Sequence, residues 1–372
     1  MAEIEGFVAP GFEPVREAFA ANFDEGGEIG AAFAAIQDGR TIADLWGGHT
    51  SRKRDQAWAR DTIVPIYSAT KPIAAFIAAR LIDTDGVDFD APVARVWPEF
   101  GAEGKGEITI AQALSHQAGL AGFADPIDPA LWLDPPALAA KLAETAPLWP
   151  PGSASGYHPL TWGYIAGEIV RRATGRTLGA ILREDICAPR GVDFWIGLPD
   201  EHHARSAEIA RPTRLPDLGP ITPIKQAAFL TKWAAPDRGG AAWRRTEIPS
   251  GNGHGTARAT AFLYSLYAEG GALGGEQMLS PIAYDALTRP RIDGQDLVLP
   301  FHVDWRAGIM GNSNGFYGPD TDTLGHSGWG GSCGFGDAKN KLSAAYVMNR
   351  QSHHLMGDPR PLRIIEALYS CL

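Results

Sequence analysis

Ser68-Ala69-Thr70-Lys71 puts a hydroxyl and an amine three residues apart. The stretch follows a β-branched run, Thr62-Ile63-Val64-Pro65-Ile66, and precedes an alanine-rich segment. Three residues of α-helix turn through about 300° and rise about 4.5 Å, so both side chains leave one face. A serine hydroxyl is a weak nucleophile until a base takes its proton. A lysine in a water-poor pocket can lose its charge and act as that base. Alone, the spacing also fits a capped helix with a surface lysine; as a catalytic pair it needs a strand feeding a helix whose first turn faces a cavity, and the downstream segments decide between the two.

The surroundings agree with such a fold. Residues 10–24 read as a helix with Phe12, Val15, Phe19 and Phe23 on one face. Ile29 to Gln37 and Thr41 to Trp46 read as strands joined at Asp38-Gly39, a strong hairpin signal. From Ser68 to about residue 240 the pattern is mostly helical, with candidates at Ala74–Ile82, Ile110–Leu114, Pro136–Ala146 and Thr161–Thr174. Thr256–Glu269 is a further helix, stopped by Gly270-Gly271. Strands return at Leu324–Trp329, Ser332–Asp337 and Lys341–Met348, and Pro361–Leu372 closes the chain as a helix. The expected class is α+β (α/β-type): an antiparallel sheet from both chain ends (1–66 and 241–372), flanked by terminal helices, with a mainly helical insertion (67–240). The site falls between the two regions.

Composition narrows the function. The 372 residues carry a net charge of −10, and Arg52-Lys53-Arg54 is the one short basic cluster. Nucleic acid is not an expected partner. No apolar run is long enough to span a bilayer, and the acidic start, Met1 to Gly6, lacks a secretory pattern, so a cytoplasmic protein is expected. Cys187, Cys333 and Cys371 are scattered and read as small hydrophobes without disulfides. The adjacent pairs His202-His203 and His353-His354 read as solvated loop residues rather than metal ligands, and neither a metal nor another cofactor is expected.

Two downstream segments complete the chemistry. Gly152-Ser153-Ala154-Ser155-Gly156-Tyr157 ends in a phenol that can relay the serine proton to a leaving group, provided a cation such as Lys71 tunes it. Leu324 to Gly331 (LGHSGWGG) is glycine-rich, so its backbone can approach a ligand closely, with Gly328 part of that approach. The Trp329 N–H can pair with the Ser68 N–H as an oxyanion hole, and His326 can hydrogen-bond the substrate or Tyr157.

With these motifs in order the chain resembles the serine β-lactamase-like superfamily of hydrolases and penicillin-binding-protein homologues, and within it the family VIII carboxylesterases. Tyr67 to Lys71 resembles the nucleophile motif. Leu114 to Leu120 (LSHQAGL), Pro151-Gly152 with Tyr157, Asn252 to Ala257, and His326-Ser327-Gly328 resemble the later ones. The resemblance implies Ser68 as the acylated nucleophile, Lys71 as its partner and Tyr157 as general acid/base. Two positions depart from the β-lactamase pattern. Pro159 replaces an asparagine whose side chain would contact the lysine, and His326 replaces a lysine that would grip a carboxylate. Both changes favour simple uncharged esters over penicillins. The expected activity is hydrolysis of small short-chain carboxylic esters through an acyl-enzyme. The alternatives are a β-lactamase or D,D-peptidase, an acyltransferase with the same site, and a non-turnover penicillin-binding sensor.

Gly330-Gly331-Ser332-Cys333-Gly334 also spells G-x-S-x-G, the nucleophile elbow of α/β-hydrolases. That elbow needs a helix next, and a strand is expected instead, so Ser332 reads as structural. His116, His158 and His254 read chiefly as packing or loop histidines. Trp46, Trp149, Trp162, Trp195 and Trp305 read as core.

Overall fold

The computed structural model describes residues 3–229 and 238–372; Met1 and Ala2, at the acidic start, lie outside them. The chain opens with β1 (Ile4–Val8), α1 (Glu13–Asp24), β2 (Gly30–Gln37) and β3 (Arg40–Gly48). The sequence places a helix first; a strand precedes it. β1 pairs with β3 at the sheet edge and is mostly exposed, so no apolar alternation marks it. The hairpin turns where expected, with positive φ at Asp38 (46°) and Gly39 (71°), the backbone twist that a two-residue loop needs.

The middle of the chain holds β4 (Val64–Pro65), α2 (Thr70–Asp85), α3 (Ile110–Leu114), α4 (Pro135–Ala143), α5 (Thr161–Thr174), α6 (Leu178–Ile181), β5 (Phe194–Ile196), α7 (Pro223–Phe229) and α8 (Ala241–Arg245). Then follow β6 (Gly253–Gly255), α9 (Ala257–Ala268), the small hairpin β7 (Ala272–Leu273) and β8 (Glu276–Gln277), and α10 (Pro281–Thr288). The C-terminal part adds β9 (Ile292–Gln295), β10 (His302–Trp305), β11 (Met310–Gly311), β12 (Leu324–Ser327), β13 (Cys333–Asp337), β14 (Leu342–Met348) and α11 (Pro359–Ser370). β9 to β11 went unread in the sequence, being too short to establish a period of two.

A nine-stranded antiparallel sheet has the order β1-β3-β2-β14-β13-β12-β11-β10-β9, so its centre joins the two ends of the chain. Its middle strands are buried on both faces. Ala344, Tyr346 and Met348 of β14 pack with Val15, Phe19, Ile364 and Leu368 of α1 and α11. Ala345 and Val347 point the other way, into the core formed with α2, α5 and α9. α2 is buried nearly all round, as its alanine-rich composition allows.

α9 fixes the start of α2. Gly334 and Gly336 of β13 leave room for it: a Cβ on Gly334 would sit 2.6 Å from the Tyr264 ring. The freed tyrosines reach across, Tyr264 Oη donating to Ala69 O (2.8 Å) and Tyr267 Oη to Pro72 O (2.7 Å). The class is the expected one: an antiparallel sheet from both chain ends, flanked by terminal helices, with a mainly helical stretch between.

Candidate active site

Ser68 lies in a single 3₁₀ turn, Tyr67–Ala69, between β4 and α2. Tyr67 holds φ at +51°, a conformation costing a bulky residue about 1–3 kcal/mol. The sharp turn leaves Ser68 partly exposed while Lys71, one turn on, is fully buried. Residues at the start of a helix also have N–H groups without intrahelical acceptors.

Lys71 and Tyr157 converge on the serine. Tyr157 Oη donates to Ser68 Oγ at 2.6 Å. Lys71 Nζ lies 3.2 Å from Ser68 Oγ and 3.0 Å from Tyr157 Oη. Its other neighbours are two main-chain carbonyls, Pro159 O at 2.9 Å and Ser250 O at 3.0 Å. Proline at 159 was expected to end contact with the lysine; the contact persists through the backbone. Asn252 holds the second carbonyl in place, bridging Ile248 N, Trp243 O and Thr246 O around the loop.

Tyr157 is positioned from three sides. Its N–H donates to Asp296 Oδ1 (2.9 Å), a carboxylate that also takes Val298 N, Leu299 N and Trp305 Nε1. The Trp305 indole lies parallel to the phenol, 3° between planes and 5.6 Å between centroids. Behind them stand His116 and His158, both fully buried. The His158 N–H donates to His116 Nδ1, and His158 Nε2 accepts from Leu120 N, each at 3.0 Å. These histidines brace the tyrosine loop and burial favours their uncharged forms; the sequence offers them as packing or loop residues, with His158 also a lesser candidate for lining the pocket.

Burial sets the electrostatics. Lys71 has no carboxylate within ion-pair distance among the described residues, and burial holds its ammonium well below the usual lysine range. Burial also raises the Tyr157 phenol above its ordinary value, against a smaller lowering by the bond to Ser68. The expectation that Lys71 would acidify the phenol is thus reversed. With neither group solvated, the uncharged amine and uncharged phenol are the favoured pair.

A neutral amine also satisfies the hydrogen bonds around Lys71. A neutral amine has two N–H groups and one lone pair. The carbonyls of Pro159 and Ser250 can only accept, so they take both N–H groups. The lone pair then faces the hydroxyls. Ser68 donates to it and receives the Tyr157 proton in turn.

These groups open into a cavity of about 310 Å³ walled chiefly by apolar residues, among them Leu160, Leu218, Phe229, Ile248 and Leu299. Ser68, Tyr157 and Trp329 line it. Gly328 does not; it lets the turn pack on the nucleophile strand, since a Cβ there would sit 2.2 Å from Ile66 O. Ser332, whose Oγ donates to Ile66 O at 2.8 Å, pins the same junction. It precedes a strand, so the elbow arrangement is absent. His326 is fully buried, lies outside the cavity lining and packs 6.0 Å from the Tyr157 ring. Its Nδ1–H donates to Ser327 O, and burial pushes its imidazole down to about 3.

Several contributors escaped the sequence reading: the Ser250 carbonyl, Asp296, Trp305 and Arg238. Arg238 lines the cavity and stacks 5.0 Å over the Trp329 ring. An acidic residue before the apolar Leu297-Val298-Leu299 was a usable signal for Asp296. Nothing local marks the other three.

Known proteins resemble this chain along its length. A profile of the Beta-lactamase family matches residues 15–369. Esterase/beta-lactamase LipL of Mycobacterium tuberculosis (strain ATCC 25618 / H37Rv) is 32% identical over 364 residues, covering 93% of this chain and 82% of that protein. The crystal structure of a penicillin-binding protein homologue from Caulobacter crescentus superposes with a TM-score of 0.97 at 52% identity, covering 100% of both chains. That of a family VIII carboxylesterase does so with a TM-score of 0.92 at 41% identity, again over 100% of both. The resemblance read from the motifs is therefore that of the whole chain, which is a serine hydrolase belonging to the Beta-lactamase family.

Proposed function

We propose that the protein is a carboxylesterase acting on small, short-chain esters through an acyl-enzyme. The observation that carries this reading is a buried, carboxylate-free Lys71 within hydrogen-bond distance of both hydroxyls, at the edge of a small apolar cavity. In the first step Ser68 Oγ bonds to the ester carbonyl carbon and its proton passes to Lys71 Nζ. The Ser68 and Trp329 N–H groups hold the oxyanion, each such donor being worth about 10²–10³ in rate. When the tetrahedral intermediate collapses, the carbon–alkoxy bond breaks. Tyr157 protonates the departing alkoxide and is reprotonated by the Lys71 ammonium. Water then attacks the acyl-serine, giving a proton to Lys71 Nζ; the bond between the acyl carbon and Ser68 Oγ breaks, Ser68 Oγ takes that proton back, and the acid leaves. No cofactor takes part in this scheme.

The size and apolarity of the cavity support a short acyl group. The family VIII carboxylesterase and the esterase/beta-lactamase among the relatives support ester substrates. A cytoplasmic setting is part of the proposal and suits the free, buried thiols of Cys187 and Cys333. No helix among the described residues is long and apolar enough to cross a membrane.

Stopped-flow kinetics with p-nitrophenyl butyrate and a chromogenic cephalosporin test the assignment. Steady turnover of the butyrate alone is expected, and Ser68→Ala lowers it by more than about 10³-fold. A stoichiometric burst without turnover identifies a sensor instead. Faster turnover of the cephalosporin identifies a β-lactamase.

A further inference from the structure

The Arg52-Lys53-Arg54 cluster takes no part in the ester site, yet the fold builds on it. A cavity of about 770 Å³ is lined by seven arginines from four separate parts of the chain. Arg52 and Arg54 follow β3, Arg211 and Arg214 precede α7, Arg350 follows β14, and Arg360 and Arg363 lie in α11. The carboxylates lining it are Glu25 and Asp358, and each is engaged. Glu25 accepts from Arg363 at 2.7 Å, and Asp358 from Arg360 at 2.8 Å. Arg52, Arg54, Arg211, Arg214 and Arg350 have no carboxylate within ion-pair distance among the described residues. This excess of positive charge stands on a protein whose net charge is −10.

The loops carrying these arginines are joined to one another. Glu208 N donates to Thr50 O, Ala210 N to Asn349 O and Gln351 N to Ala210 O. Arg52 Nη2 donates to Arg211 O at 3.1 Å. Like charges gathered around one cavity repel, and an anion entering it relieves that repulsion, although Arg211 and Arg350 also donate to the carbonyls of Arg238 and Gly26. Guanidinium forks match phosphate oxygens in pairs. The concave shape and limited volume suit a small molecule, while the overall negative charge opposes a long nucleic acid.

The floor of this cavity is also the outer side of the turn that carries Trp329. Gln351 Nε2 donates to Trp329 O (3.0 Å), Arg360 Nη2 to Gly330 O (2.7 Å) and Ser352 N to Gly330 O (2.9 Å). We propose that this arginine-lined cavity is a second binding site, taking a small organic phosphate or pyrophosphate, and that its occupancy is felt at the Trp329 turn. The binding half stands without the ester assignment; the coupling half rests on it.

Calorimetric titration of the full-length protein with inorganic pyrophosphate at 25 mM and 300 mM NaCl tests the binding. Saturable binding that weakens with salt is expected. Arg214→Glu and Arg54→Glu each weaken it about tenfold or more, the worth of a charge-assisted hydrogen bond lost. Arg95→Glu, exposed and outside the cavity, changes it less than about twofold for the same change of charge. Unaltered thermal unfolding of the variants shows that they fold. No binding by the wild type at low salt, or equal weakening by Arg95→Glu, overturns the site. Association with phosphatidylglycerol vesicles in the absence of pyrophosphate binding also overturns it, in favour of a lipid surface. Saturating pyrophosphate should shift kcat or KM for p-nitrophenyl butyrate at least twofold in the wild type and not in Arg214→Glu. Unchanged kinetics with the site filled overturn the coupling.

Discussion

The ester cavity and the arginine-lined cavity both gather cations without matching carboxylates, and they resolve the problem in opposite ways. In the first, Lys71 is fully buried between two carbonyls and two hydroxyls, and loss of solvent favours its uncharged form. In the second, Arg52, Arg54, Arg211, Arg214 and Arg350 are exposed, and guanidinium does not deprotonate, so the charge persists and asks for an anion. Burial and side-chain chemistry together decide whether an unpaired cation becomes a base or an anion receptor.

Lys71→Arg puts the sharpest strain on that contrast. It keeps the positive charge and removes the lone pair. If Lys71 serves as a neutral base, kcat/KM for p-nitrophenyl butyrate falls by at least about 10³-fold. An arginine variant keeping more than a tenth of the activity would show that charge alone suffices. The wild-type rate should fall as pH drops through the lowered Lys71 value; a limb near the ordinary lysine pKa would contradict the buried neutral amine.

Tyr157→Phe retains the stacking on Trp305 and removes the proton relay. A loss of about 10²-fold in kcat with KM little changed is expected from steady-state kinetics. A change confined to KM would make the phenol a binding group instead.

The smallest effect concerns stability. Burial holds His158, His254 and His326 neutral, with pKa values near 3. Unfolded, each titrates near 6.5. Above that pH neither state binds the proton. Between about 6.5 and 3 the unfolded chain takes up protons that the folded chain refuses, so stability is lost as pH falls. Thermal unfolding should show Tm declining steadily from pH 6.5 to 4.5, with a shallower slope in His254→Gln. A flat profile would mean that these imidazoles are not held neutral.

Much of the architecture was legible in the chain. The Asp38-Gly39 turn, α3, α5, α9, β13 and β14 follow from turn chemistry and periodicity, with bounds shifted by a residue or two. β1 and β9 to β11 were not, because edge strands and very short strands bury too little to leave a pattern. Within the site, the S-x-x-K spacing, the tyrosine loop and the tryptophan turn were visible as motifs. His326 was read as a partner of the substrate or of Tyr157, and it packs beside Tyr157; Gly328 was read as part of a close backbone approach to a ligand, and it seats the turn on Ile66.

Local sequence determined that Ser68 and Lys71 lie about one helical turn apart, because the 3₁₀ turn that holds the serine runs straight into α2. It also determined which strands alternate and where the hairpin turns. Only the tertiary structure decided that Lys71 meets the carbonyls of Pro159 and Ser250, 88 and 179 residues away. It alone drew scattered arginines around one cavity. Desolvation and the density of like charge are properties of how distant segments pack, and no stretch of sequence contains them by itself.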